Sequence, residues 1–547
     1  MFKRLGVHTS RVARSFSTRH LSTYPAGPSR STHIGWTVAG GVILAIASYE
    51  TIRSPVSLEE ESPVTVSKKH GHTADPTAPT EYITLKEVAK HNLSQDAWVI
   101  INGKVYDVTN FHQYHPGGAA VILSNAGSDV SSLFNSLHPP GTIENNLSEE
   151  SFKGWVDPEI TAKAVAAQDA EKARVAAARG ALPPVETILG IEEFEEAADS
   201  VMSRQASAYY HTGALDGISH AGNKDAFRKC RIVPRVMRDV SRVEPQTTIF
   251  GIPSALPIYI SPSSNALLGH PDGELNMTRG AAKTGIVQGV SYVASYPLKD
   301  ILAEKEVMDE LIGEKMGMVF QVYVREDREK NAEVIREAIE GGCQALLLTV
   351  DSNVGDHRQS VEKMKGTTGS AEEGRKFGPF TKFTHGPHDP RLNWKDLDWL
   401  KAVAGDVPIY LKGVSHIEDI KIAKEHGVKG CILSNHGGRQ LDRARSGFDS
   451  LRRIHDQEPS ITKEMEIYVD GGVRRGTDVL MALALGARGV GLGRPFLFAQ
   501  AAYGEKGTIR AVRILENEIV TAMQLMGISK LDQLRPEMIE CLQEVWK

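Results

Sequence analysis

The chain has 547 residues, of which 41% are apolar and 24% charged, with 50 Gly and 26 Pro. That composition excludes a disordered, collagenous or coiled-coil protein and predicts several folded domains. The formal charge is −5, but the first 49 residues hold six basic side chains and no Asp or Glu, so the remainder carries −11; such an acidic body excludes nucleic acid as the main partner and suits a basic protein.

Residues 1–33 are rich in Arg, Ser, Thr and His and free of acids, the composition of a mitochondrial transit peptide. The apolar, uncharged residues 34–49 fall short of the about 20 needed for a stable membrane span. They are read as a sorting signal that halts import at the inner membrane and delivers the protein to the intermembrane space, with a retained inner-membrane anchor as the alternative. Residues 50–80 follow as a linker. The four cysteines, Cys230, Cys343, Cys431 and Cys541, have neither CxxC nor clustered spacing. They predict no zinc site and no disulfide framework, and are read as free thiols.

Residues 81–158 predict a small α+β domain. ITLKEVAKHN starts a helix, and AWVIINGKVYDVT reads as two strands around an Asn102-Gly103 turn. Its chemistry lies in His115 of FHQYHPGG and His138 of FNSLHPPG, 23 residues apart, each beside a Pro that ends a local segment. Two imidazoles filling both axial positions of an iron porphyrin leave no site for oxygen or substrate, so such a haem passes single electrons. Together with WVIINGKVYDVTNF, the two motifs resemble the cytochrome b5 family over about 75 residues. The resemblance implies haem b with His115 and His138 as axial ligands in a crevice lined by Leu123, Val130, Phe134 and Leu137. The Ala-rich residues 159–187 read as a helical or linker-like tether that lets this module move.

From residue 188 onward eight apolar β-rich runs alternate with helical patterns: LPIYIS, TGIVQGVS, GMVFQVYV, ALLLTVD, VPIYLKG, GCILSN, EIYVDGG and GVGLGRP. Eight such units predict an α/β protein with a closed (β/α)8 TIM barrel, residues 188–547 forming the barrel and its tail, with the function at the carboxyl ends of the strands. Those ends carry polar groups. DGGVRRG and GLGRP place glycines and arginines where a barrel commonly binds phosphate, implying a phosphorylated cofactor. His436 in SNHGGRQLD suits a general base, Asp351 an orienting partner, Arg439 a clamp for a carboxylate, and Lys412 a fixed positive charge beside an anionic cofactor ring.

These motifs resemble the FMN-dependent 2-hydroxy-acid dehydrogenase and oxidase family, SNHGGRQLD being the most specific. With the haem module ahead of the barrel, the arrangement is similar to that of cytochrome c-reducing members. The resemblance implies that His436 acts as the base with Asp351 as partner and Tyr323 on the substrate hydroxyl. It implies that Tyr209 and Arg439 bind the carboxylate and that Arg358 is an auxiliary arginine. FMN would be held by Pro262, Ser264, Ser291, Gln321, Thr349 and Lys412, and by Asp470, Gly472, Arg474, Gly493 and Arg494 from the last two strands. The implied reaction oxidises a small L-2-hydroxy acid, L-lactate first, to the 2-oxo acid, with electrons passing from FMN to haem b to cytochrome c, in a homotetramer. Two alternatives stand: a flavin oxidase using oxygen, or a haem electron carrier on an inactive barrel. Three positions depart from the family pattern. Ser264 stands where many members carry Ala, and Val293 where a larger Leu or Trp is commoner; both positions face substrate in the family, and the small residue enlarges the side-chain pocket. Asn146 replaces a Tyr that links the two domains. The long Gly/Ser-rich connection containing GTTGSAEEGRKFGPF reads as a mobile cover over the site, and residues 528–547 as a tail able to reach a neighbouring subunit.

Overall fold

The computed structural model describes residues 82–542 except 116–121, 124, 132–133, 136–137, 139–140 and 355–387. The import sequence, the apolar segment, the linker to residue 80, Leu137, Arg358 and the GTTGSAEEGRKFGPF connection lie outside the described residues.

The first module is a sheet of β1 (Asn92–Leu93), β2 (Asp96–Ile101), β3 (Lys104–Asp107), β4 (Ser128–Asp129) and β5 (Phe152–Trp155), ordered β1-β2-β3-β5 with β4 beside β2. The predicted hairpin turns at Asn102 (φ 52°) and Gly103 (φ 79°). Two successive left-handed residues match the right-handed twist of the flanking strands, which is why Asn-Gly occupies such turns. The helix before it, Leu85–Val88, starts where the Thr84 hydroxyl accepts from Glu87 N at 3.1 Å. On one face of the sheet, Leu123, Val130 and Phe134 pack with Phe111 against buried Val99, Ile101 and Tyr106.

The expected tether is a helix, Pro158–Ala181. Its carboxyl-terminal half is hydrogen-bonded to the large module: Arg174 Nη2 donates to Met202 O at 2.6 Å, and Arg179 Nη1 to Ala501 O at 2.8 Å.

That large module opens with β6 (Cys230–Ile232) and the hairpin β7 (Thr247–Ile249) and β8 (Ile252–Ser254). The eight predicted runs then appear as β9 (Ile258–Ile260), β10 (Val287–Val290), β11 (Met318–Val322), β12 (Leu346–Thr349), β13 (Ile409–Val414), β14 (Gly430–Leu433), β15 (Glu466–Asp470) and β16 (Gly489–Leu492). Neighbours pair in parallel, and β16 pairs with β9 through Leu492↔Ile260, closing the barrel. The strands are short, mostly apolar and almost wholly buried because their outer face is covered by helices.

The β7–β8 hairpin plugs the amino end of this barrel. Phe250, 2% exposed, lies 4.3 Å from the Tyr468 ring and 4.9 Å from those of Tyr259 and Tyr410, centroid to centroid. Its φ of 54° is held by a 2.7 Å bond from its own amide to Tyr468 Oη. With that end filled, only the carboxyl ends of the strands remain to form a cleft.

The cysteines depart from the expectation of four free thiols. Cys230 and Cys541 are a disulfide, 311 residues apart in sequence, leaving Cys343 and Cys431 as the free thiols among the described residues. Local spacing carries no trace of a pair that distant. It is created by β17 (Ile539–Cys541) pairing antiparallel with β6, which sets Cys541 opposite Cys230. The tail, through Leu542, thereby folds back on its own chain, with Leu542 N donating to Lys229 O at 2.9 Å.

Candidate active site

The carboxyl ends of the strands surround a cleft of about 780 Å³ open to solvent. Pro262, Ser264, Ser291, Gln321, Tyr323 and Thr349 line its first half; Lys412, His436, Arg439, Asp470, Gly472, Arg474, Gly493 and Arg494 line the rest. Asp351 and Tyr209 stand immediately behind these residues, against His436 and Arg439 respectively.

One polar row crosses three adjacent strand ends: Ser291 Oγ donates to Gln321 Oε1 at 3.3 Å, and Gln321 Nε2 to Thr349 Oγ1 at 2.9 Å. Further round, the buried Lys412 ammonium lies 3.2 Å from Asp470 Oδ2 and donates to Ser434 Oγ at 3.3 Å. Burial alone would lower Lys412, but the charges of Asp470 and Asp351 outweigh it and hold the ammonium above its ordinary value.

His436 sits just past β14 with φ 58°, a left-handed conformation costly for a side-chain-bearing residue. The turn is fixed from both sides, with His436 N on Ser434 Oγ at 3.0 Å and Gly438 N on Asn435 Oδ1 at 3.0 Å. The strained backbone aims the ring between two partners: Nδ1 is 2.9 Å from Asp351 Oδ1, and Nε2 is 3.4 Å from Tyr323 Oη. Burial pushes the Asp351 carboxyl up, but the His436 charge and hydrogen bond, with Lys412 beyond, hold it below the usual carboxylate range. An ionised Asp351 keeps the proton on Nδ1 and leaves Nε2 as the basic nitrogen facing the cleft.

Arg439 spans the mouth, donating from Nη2 to Tyr210 O at 3.0 Å with its guanidinium 5.7 Å from the Tyr209 ring centroid. Tyr209 Oη accepts from Asn265 Nδ2 at 2.6 Å and lies 3.5 Å from Ser264 Oγ. Arg494 Nη2 donates to Gly437 O at 2.8 Å, and Arg474 Nη2 to Glu195 Oε1 at 2.8 Å. Gly472 has φ 86°, and a Cβ there would collide with the Asn223 carbonyl, so only glycine lets that loop pass.

The cleft suits an anionic, polar-edged cofactor. Burial and the positive field of Arg494, Arg439, Lys224 and Arg474 drive His220 down to about 3, a surplus of cations that a phosphate dianion would neutralise. Arg474 Nε and Asp470 Oδ1 are buried without a hydrogen-bond partner, the condition a bound ligand relieves. His220, Asn223, Lys224 and Glu195 were not legible in the sequence, because they lie on helices preceding the barrel, where a lone polar side chain carries no signal.

In the first module the His115 and His138 rings lie 5.9 Å apart between centroids. His138 Nδ1 is 3.1 Å from Phe134 O, and its ring stacks on Phe134 at 4.4 Å. That backbone bond fixes the tautomer and directs Nε2 outward, while burial lowers the pKa and favours the neutral ring a metal requires. With metal–nitrogen bonds of about 2 Å, the spacing fits one ion between the two imidazoles, and the apolar crevice of Leu123, Val130 and Phe134 fits a porphyrin's faces.

Comparison with known proteins agrees with this architecture. The FMN-dependent dehydrogenase family matches residues 198–541, and the cytochrome b5-like haem/steroid binding domain matches residues 84–157. The chain is 37% identical to L-lactate dehydrogenase (cytochrome) of Wickerhamomyces anomalus, over 84% of this chain and 80% of the relative. It is 36% identical to 2-hydroxyacid oxidase 2 of Bos taurus, over 64% of this chain and 98% of the relative. Among solved structures, a flavocytochrome b2 variant with pyruvate bound superposes with a TM-score of 0.62 at 35% identity, over 68% of this chain and 91% of that one. The chain is thus a member of the FMN-dependent dehydrogenase family in which a cytochrome b5-like haem domain precedes the flavin-binding barrel.

Proposed function

We propose that the chain oxidises L-lactate to pyruvate and delivers the electrons through haem b to cytochrome c. The observation that carries this reading is His436 held between Asp351 and Tyr323 at the mouth of a cationic cleft, in a chain that also carries the paired His115 and His138. Bound FMN takes up the two reducing equivalents of the hydroxy acid, and bound haem b passes electrons on singly.

The remaining work falls to side chains. Arg474, Arg494 and the Gly472 and Gly493 turns would hold the phosphate of FMN; the Ser291, Gln321 and Thr349 row and Lys412 would hold its polar ring edge. Arg439 and Tyr209 orient the substrate carboxylate, placing its hydroxyl-bearing carbon beside His436. His436 Nε2 accepts the substrate proton, and Asp351, already bonded to Nδ1, stabilises the resulting imidazolium. Tyr323 Oη bonds the substrate hydroxyl. His115 and His138 would ligate the haem iron. The haem module favours this reading over an oxygen-using oxidase, since the cytochrome-reducing relative aligns over 84% of the chain and the oxidase over 64%.

The acid-free residues 1–33 and the apolar residues 34–49 support import to the mitochondrial intermembrane space, and the acidic body suits a cationic cytochrome c. A homotetramer is part of the same reading, and light scattering of the purified protein checks it. The central test adds L-lactate anaerobically to the purified protein and follows flavin bleaching, then reduced-haem absorbance, then cytochrome c reduction, with glycolate and mandelate in parallel. A flavin that none of these acids bleaches overturns the reading, and a bleached flavin with an oxidised haem replaces it with the oxidase. His436→Gln should abolish bleaching while FMN remains bound.

A further inference from the structure

His388, in the connection between β12 and β13, lies against Tyr323 with ring centroids 4.1 Å apart and planes inclined by 35°. That is tighter than the about 4.5–7 Å usual for aromatic pairs. The contact is built in by the next residue. Asp389 is 3% exposed, its amide donates to Val324 O at 2.9 Å, and its Oδ2 accepts from Arg328 Nη2 at 2.8 Å. Arg328 also reaches Asp396 Oδ1 at 2.8 Å, so one guanidinium ties this connection to the following helix, Asp396–Ala404, from the start of Arg328–Glu340.

Tyr323 itself is held at two levels. Asn331 Nδ2 donates to its carbonyl at 2.9 Å, fixing the backbone just past β11. Nothing in that bond sets the two side-chain torsions that decide where the hydroxyl points. The His388 ring does so, since a phenol packed against it at 4.1 Å between centroids cannot swing about its Cα–Cβ bond without displacing the imidazole. The outcome is Tyr323 Oη 3.4 Å from His436 Nε2.

We propose that His388 is a positioning residue for the reaction, its imidazole acting as the stop that keeps the Tyr323 hydroxyl on His436. The proposal deepens the lactate reading and rests on it for the role of Tyr323, but the geometric claim is independent of the substrate. His388→Ala removes the stop, and His388→Phe keeps a ring while deleting the imidazole nitrogens.

The test pairs crystallography with turnover. Crystals of the purified variants report the Tyr323 Oη to His436 Nε2 separation, and turnover of L-lactate is followed with ferricyanide, so that the haem step does not enter. His388→Ala should let the Tyr323 ring rotate away and lower kcat on the order of ten- to a hundred-fold with KM little changed, as misplacement of one reacting group does. His388→Phe should restore the ring position and most of kcat. An unmoved Tyr323 in the alanine crystal, or an alanine kcat within about twofold of wild type, overturns the proposal, as does a phenylalanine variant as slow as the alanine. If the alanine variant does not fold, His388→Leu fills the space without a ring and is read the same way. A wild-type protein that oxidises none of the acids refutes the lactate reading, while the ring position still decides this one.

Discussion

Asp351→Asn isolates the charge behind His436. The substitution keeps the side-chain volume and an oxygen near Nδ1, so the 2.9 Å contact can persist while the negative charge is lost. During proton abstraction His436 becomes an imidazolium, and charge centres in such a contact lie about 4 Å apart, where unit charges interact by about 4 kcal/mol at an effective dielectric of about 20. The low exposure of the pair, 23% for His436 and 12% for Asp351, is why the bulk-water value does not apply. If most of this stabilisation develops in the transition state, flavin reduction should slow by about three decades. Rapid anaerobic mixing of L-lactate with the FMN-loaded variant measures the step directly, and retained flavin absorbance shows that the site is intact. Slowing by less than about tenfold with FMN bound would refute Asp351 as the electrostatic partner.

Other parts of the molecule give equally direct outcomes. Thiol titration without reductant should find Cys343 and Cys431 silent in the native protein, since burial pushes both up to about 12. Unfolding should release those two, and reduction should release Cys230 and Cys541 as well; four thiols before reduction would dismiss the disulfide. Lys412→Met leaves the buried Asp470 without its cation and should destabilise the protein by about 3–5 kcal/mol, seen as a lower urea midpoint; an unchanged midpoint contradicts the pairing. For His220 the folded value of about 3 lies below the ordinary 6.5, so below pH 6.5 the unfolded chain binds a proton that the folded one refuses. Its contribution to stability is therefore lost progressively as pH falls from about 6.5 towards 3. FMN-free protein should melt at a steadily lower temperature over that range, and His220→Gln should flatten the dependence; parallel curves would refute it.

The eight strands were legible because a buried parallel strand is a predominantly apolar run, and β9 to β16 each fall inside one predicted run except β13, which extends one residue past it to Val414. The site was legible for a related reason. A barrel fixes where strand ends meet, so residues as distant in sequence as Ser291, Lys412 and Arg494 could be assigned to one cleft before any distance was known. What stayed hidden arises from pairings with no local period. The Cys230–Cys541 bond depends on β6 and β17 meeting across 311 residues. The Phe250 plug depends on a hairpin too short to stand out from a turn. His388 on Tyr323 depends on Asp389 being captured by Arg328, 61 residues earlier in the chain.

The same distribution explains how the barrel tolerates its own site. At the carboxyl ends it holds a residue at φ 58°, a buried lysine–aspartate pair and a cation field strong enough to drive His220 down to about 3. Each of these is unfavourable in an FMN-free fold. At the amino end the packing is of the opposite kind, with Phe250, Tyr259, Tyr410 and Tyr468 all no more than 2% exposed and packed on one another in tilted and edge-to-face contacts. The strands connecting the two ends are only three to six residues long, so the plug lies only a few residues from the strand ends on which Lys412, His436 and Asp470 stand. Stability at one end and chemistry at the other thus rest on the same short backbone segments, with apolar aromatic packing at the amino end offsetting the unfavourable polar groups at the carboxyl end.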